Sequence, residues 1–254
     1  MLLAIDIGNT NTVLGVFDGE ELVDSWRIKT DSRVPADELA LTFRGLLADL
    51  EITGIAASST VPAVLRELRR LLARYYHGLP TVLVEPGVRT GVSVLVDNPK
   101  EVGADRIVNT LAAFELVGGP AIVVDFGTST NFDVISDKGE FLGGALAPGV
   151  EISVDALADR AAQLRKVELV PPRSPIGKNT VEALQSGILY GVAGQVDGLV
   201  RRLREALNPK DPEAVHVIAT GGLAPLAIAH SETVSRYEPD LTLIGLRLIF
   251  ERNV

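Results

Sequence analysis

The chain of 254 residues contains no cysteine. That excludes disulfides, thiolate catalysis and zinc sites built on sulfur. Histidine is nearly as scarce: His77, His216 and His230 are scattered, and no pair has metal-ligand spacing. No stretch reaches the ~18 apolar residues of a membrane span. The start lacks a basic segment ahead of its short apolar run, so it does not read as a signal peptide. Positive charge is in deficit, with 24 Lys and Arg against 33 Asp and Glu and a net charge of −9. Such a chain is a poor candidate for gripping nucleic acid by neutralising phosphates. Backbone donors and a metal can still bind a small polyphosphate. The expectation is a cytoplasmic protein with neither a membrane nor a nucleic acid as partner.

The common nucleotide motifs are missing as well. The nearest approach to a P-loop is Gly177-Lys178, but Asn179 stands where Ser or Thr is needed and Pro172 where the first Gly is needed. There is no Gly-x-Gly-x-x-Gly after a strand, no protein-kinase signature set and no Gly-x-Ser-x-Gly elbow.

What is present begins with IDIGNTNTVLGVFDGE, an apolar strand that runs into Asp6 and a donor-rich turn. An acid at the end of a buried strand is costly to desolvate without a partner. The pattern recurs as VVDFGTSTNFDVISDKGE. With Asp6 set over Asp125, Gly8 falls on Gly127, Thr10 on Ser129 and Asp18 on Asp137, and one inserted residue, Lys138, brings Gly19-Glu20 onto Gly139-Glu140. Each copy reads as strand, turn, strand, acidic-Gly turn and third strand, followed by alternating helices and strands. Helical spacing is predicted over 35–50, 61–76, 104–117, 149–164, 180–207 and 241–252. The reading is a duplicated α/β fold, with halves at 1–118 and 119–254 whose two hairpins face one cleft. The turns would cradle a polyphosphate and the carboxylates its cations. The helix over 180–207 carries Gly187, Gly191, Gly194 and Gly198 on one face. Glycine costs about 1 kcal/mol per helical position relative to Ala. Such a face implies close approach of another backbone, either a second subunit or the chain's own sheet.

Paired Asp-x-Gly hairpins resemble the superfamily of actin, sugar kinases and acetate kinase. DIGNTNT at 6–12, NPKEVGADR at 98–106, DFGTSTNFDVI at 125–135, GGALAPG at 143–149 and IGKNTVEALQSG at 176–187 resemble the type III pantothenate kinase family, in order over nearly the whole chain. The resemblance implies duplicated ribonuclease-H-like (actin-like ATPase) domains, each a mixed sheet with an N-terminal three-stranded meander flanked by helices. It implies ATP-dependent phosphorylation of pantothenate to 4′-phosphopantothenate, the first step of coenzyme A biosynthesis. It also implies Mg²⁺ with the nucleotide, a monovalent cation (K⁺ or NH4⁺) and a homodimer.

By the same resemblance, residues 6–13 (Asp6, Ile7, Gly8, Asn9, Thr10, Asn11, Thr12 and Val13) and Thr128 would bind ATP, with Asp6 on Mg²⁺. Asp125 would hold the monovalent cation. Asp105 would be the general base, and Val96, Gly103, Ala104, Asp105, Arg106 and Thr180 would meet pantothenate. Arg106 suits the substrate carboxylate because its planar fork grips two oxygens. Bland roles exist beside these: Asp105 sits at a predicted helix start, where capping is common, and Thr180-Val-Glu-Ala looks like an N-cap opening the long helix. Gly221-Gly222 would let a nucleotide approach the backbone or simply turn the chain into a helix. The family pattern often has an aromatic residue where this chain has Val96. The competing readings are another small-molecule hydroxyl kinase of the superfamily and a non-catalytic nucleotide-binding regulator.

Overall fold

The computed structural model describes residues 1–48, 50–160 and 167–254. The chain forms two compact units: Met1–Val92, Asn98–Ala112 and Leu241–Val254 make the first, and Ser93–Asp97 with Ala113–Asp240 the second.

In the first unit, β1 (Leu2–Ile7), β2 (Asn11–Asp18) and β3 (Glu21–Lys29) form an antiparallel meander. The chain then alternates through α1 (Ala36–Leu47), β4 (Gly54–Ser59), α2 (Pro62–Tyr75) and β5 (Thr81–Leu83). β4 pairs parallel to β1 and β5 parallel to β4, which gives the order β3-β2-β1-β4-β5. Period-2 alternation along β1 divides its side chains between two faces. Leu3, Ile5 and Ile7 pack with Phe43, Leu68 and Leu71 of α1 and α2. Ala4 faces the other way, towards Val108 and Leu111 of α3 (Ala104–Val117) and Leu243 and Leu246 of α7 (Leu241–Glu251). The sequence reading put the last helix in the half 119–254. Instead, α7 closes the core of the first unit, and the Thr242 hydroxyl bonds Asn109 Oδ1 at 2.8 Å. Its apolar residues fit a sheet face that α1 and α2 leave bare, something no local pattern encodes.

In the second unit, β6 (Ala121–Phe126), β7 (Ser129–Ile135) and β8 (Phe141–Pro148) repeat the meander. They are followed by α4 (Val150–Arg160), α5 (Thr180–Leu207), β9 (His216–Thr220), α6 (Ala224–Ile228) and the two-residue β10 (Arg236–Tyr237). The sheet order is β10-β9-β6-β7-β8, with β9 parallel to β6. This is the first sheet's arrangement over again. The predicted helix over 149–164 has its last four residues outside the described residues, as is Asp49 of the helix predicted over 35–50.

The alignment of the two copies needs correcting. The offset of 119 residues between the copies fails at the turn. Asp6 pairs with Val13 whereas Asp125 pairs with Asn131, so the second turn is one residue tighter and Thr10 corresponds to Thr128, not Ser129. Of the two partners left open for the glycine face of α5, the chain's own sheet is not the one it meets among the described residues. The inward face carries Leu189, Ala193, Val196 and Val200, while a Cβ placed on Gly187, Gly191 or Gly194 would find, among the described residues and apart from the helix's own backbone, no atom within 4 Å.

Candidate active site

β1 delivers Asp6 to the strand end on the face shared with Ala4, towards the start of α3. Parallel pairing sets it opposite Ser58 of β4, whose buried hydroxyl donates to Asp6 Oδ1 at 2.8 Å. Loss of hydration pushes the Asp6 carboxyl up to about 6; the Ser58 bond pulls it down, the Asp105 charge pushes it up and Arg27 pulls it down. In the turn that follows, the Gly8 N–H donates to Asn11 O at 2.9 Å, leaving Asn9 and Thr10 exposed. Ile7 and Thr12 point inward, and the Thr12 and Thr30 hydroxyls share a hydrogen bond of 2.9 Å. Asn11 and Val13 begin β2, half-buried.

Asp105 occupies the first turn of α3, half-buried beside Gly103, Ala104 and Arg106. Its Oδ1 accepts the Arg106 N–H at 2.9 Å. Desolvation raises its carboxyl above the ordinary range, opposed by that N–H and by the Arg106 charge. A Cβ on Gly103 would stand 2.4 Å from Asp105 Oδ1, so any larger residue there displaces this carboxylate. The first unit therefore brings together two carboxylates of weakened acidity, an exposed Asn-Thr turn and a guanidinium.

In the second unit, Asp125 ends β6 half-buried, opposite the buried Thr220 of β9. The Gly127 N–H bonds Ser129 O at 3.0 Å, the counterpart of the Gly8 contact, and the exposed Thr128 accepts the Gly149 N–H at 3.2 Å. Gly221 has φ +92, and a Cβ there would lie 2.5 Å from Phe126 O and 2.9 Å from Asp125 Oδ1. Glycine is thus required by conformation and by space. Val96 lies against the Gly143 motif, 3.6 Å from where a Cβ on that glycine would be. Thr180 is exposed and is the first residue of α5, but it is not the cap. Asn179 takes that place, its side chain accepting the Glu182 N–H at 2.9 Å. Asn179 has the extended backbone of the position just before the helix, from which its Oδ1 reaches the N–H three residues on; Thr180 already lies inside the first turn.

Sequence reasoning missed Ser58 and Thr220. The available signal was that ITGIAASS and AVHVIAT both end a parallel strand on a hydroxyl residue. Among the described residues no helix is long and apolar enough to cross a membrane, and no three His, Cys, Asp or Glu side chains cluster as a metal cage. The donor set fits Mg²⁺, which is held by one or two carboxylates with waters and phosphates rather than by an all-protein cage. A cation beside Asp6 would also restore the ionised form that burial disfavours.

Two sheets of the same order, each with a strand-ending acid and a polar turn, make a duplicated ribonuclease-H-like (actin-like) fold. The solved activator of 2-hydroxyisocaproyl-CoA dehydratase from Clostridium difficile, with bound ADPNP, has this fold, with a TM-score of 0.56, 14% identity and coverage of 99% of this chain and 95% of that one. Residues 2–202 match the family model of type III pantothenate kinase. Type III pantothenate kinases from Frankia alni and Streptomyces griseus are 68% and 62% identical, over 100% of this chain and 100% and 99% of theirs. The chain belongs to the type III pantothenate kinase family.

Proposed function

We propose that the chain transfers the γ-phosphoryl group of ATP to the primary hydroxyl of pantothenate, the first step towards coenzyme A, and does so with the acids described above. The observation that carries this reading is that Asp105, in the first turn of α3, stands close enough to the strand-end Asp6 for its charge to raise the Asp6 carboxyl, in a chain that matches the pantothenate kinase family along its length. Asp6 would hold Mg²⁺, directly or through water, and residues 7–13 with Thr128 the phosphates. When bound, Mg²⁺ would supply charge neutralisation to the transferring phosphates. Gly103, Ala104, Arg106, Val96 and Thr180 would frame pantothenate, with the Arg106 fork on its carboxylate. Asp105 accepts the hydroxyl proton as the oxygen attacks, because a carboxylate is too weak to ionise an alcohol beforehand.

A coupled assay with pantothenate and ATP, with and without potassium, tests the whole reading. Turnover of pantothenate is expected; phosphorylation of another alcohol with none of pantothenate would overturn it.

Asp125 is assigned to the monovalent cation. K⁺ is weakly hydrated, and next to the phosphates it would screen their charge. Asp125→Ala therefore abolishes the response to added potassium, read as rate against potassium concentration. A variant that responds as the parent does removes Asp125 from this role.

The open glycine face of α5 is assigned to a homodimer. An exposed helix with three side-chain-free positions lets a second backbone come close, and this offsets the propensity cost of those glycines. Gly191→Leu is tolerated by the helix itself but blocks that approach, so light scattering on the eluted protein should give the monomer mass. A dimer of unchanged mass would exclude this face as the interface.

A further inference from the structure

We infer that Ser58 is a positioning residue for phosphoryl transfer: its hydroxyl fixes one oxygen of the Asp6 carboxylate and leaves the other turned to the Mg²⁺ that accompanies the nucleotide. The inference rests on the reading that Asp6 holds Mg²⁺.

The geometry comes from strand register. β1 and β4 run parallel with Asp6 opposite Ser58, so both side chains leave the sheet on one face. Ser58 is 0% exposed, and its Oγ donates to Asp6 Oδ1 at 2.8 Å. A carboxylate left to rotate offers either oxygen in several orientations. One tied by a buried donor presents a single oxygen in a fixed direction. Hydrogen bonds behind a metal ligand commonly set metal affinity in this way.

A filler role does not explain this residue. The neighbouring buried positions of β4 are Ala56 and Ala57, so the strand readily accepts alanine. A hydroxyl at position 58 adds a polar group that must be desolvated and then paired, and its partner is the acid. The second sheet supplies an independent instance. There Asp125 stands opposite Thr220, again on a parallel strand and only 3% exposed. Two sheets of different sequence thus set a buried hydroxyl beside a strand-ending acid.

Calorimetric titration with ADP, in Mg²⁺ and in EDTA, tests the inference. Ser58→Ala is expected to lose about tenfold in ADP affinity when Mg²⁺ is present, and to match the parent in EDTA. Ser58→Cys fills the same space with a weak donor, so it should show the same selective loss even where the alanine variant folds poorly. Ser58→Thr, the residue that the second sheet uses at this register, should keep the parent's affinity in Mg²⁺. Equal losses in both buffers, parent-like binding by Ser58→Ala and Ser58→Cys, or Ser58→Thr as weak as Ser58→Ala would each overturn it. Asp6→Asn tests the underlying reading separately. If this variant keeps the parent's difference between Mg²⁺ and EDTA, Asp6 is not the Mg²⁺ ligand. If the difference disappears while Ser58→Ala binds like the parent, only the role of Ser58 fails.

Discussion

Asp105→Asn lowers kcat by about 10²–10⁴-fold and leaves nucleotide affinity at the parent's level. The substitution is nearly isosteric. The amide oxygen can still accept the Arg106 N–H that Asp105 Oδ1 accepts at 2.9 Å, so the first turn of α3 keeps its geometry. What the amide lacks is a site for the proton. In a largely dissociative transition state that proton leaves late, so the loss falls on the chemical step and not on binding. Desolvation helps the native residue here, because it raises the carboxyl towards the working pH and makes it a stronger acceptor. Single-turnover rates, with separate titrations of ADP, divide the two effects. A variant with the parent's kcat would leave Asp105 with its helix-turn role alone.

Asp6→Asn makes the unliganded protein more stable at pH 7.5 by about 1–3 kcal/mol while removing Mg²⁺-dependent nucleotide binding. The sign follows from the direction of the shift. The Asp6 carboxyl rises from 3.8 to about 6 on folding, chiefly by loss of hydration. Between these values the folded chain binds more protons than the unfolded one, so this group's contribution to stability falls as pH rises and levels off above about 6. An amide carries no such penalty. The advantage of Asp6→Asn should therefore shrink as pH falls from about 6 towards 4, and vanish only well below 3.8, where the native acid is protonated in both states. For a chain of this size, about 2–4 °C in Tm accompanies each kcal/mol. Thermal unfolding without nucleotide from pH 4 to 8 gives the curve. An equal difference at every pH, or a less stable variant at pH 7.5, would refute it.

Much of the fold was legible in the sequence because its signals are local. Alternation and Gly turns give both meanders. Spacing gives α3 and α5 at the observed bounds, Ala104–Val117 and Thr180–Leu207. Asp6, Asp105 and Asp125 stand out as acids at strand or helix ends. What escaped depends on partners distant in the chain. The apolar residues of α7 mark a helix but do not say which of two sheets it will cover. The two residues of β10 are too few for any periodicity. The capping choice between Asn179 and Thr180 turns on one residue of phase. Ser58 looked like ordinary strand filling, because its meaning lies in a register with Asp6, 52 residues away.

The placement of α7 also bears on the order of assembly during synthesis. Residues 113–240 form a continuous stretch and can complete their unit as soon as they leave the ribosome, whereas the earlier unit waits for Leu241–Val254 to cover its second sheet face. The half made first is thus finished last. Until Leu241–Glu251 is made, the Ala4, Phe17 and Ala56 surface lacks α7 and stays partly open to water and to other nascent chains.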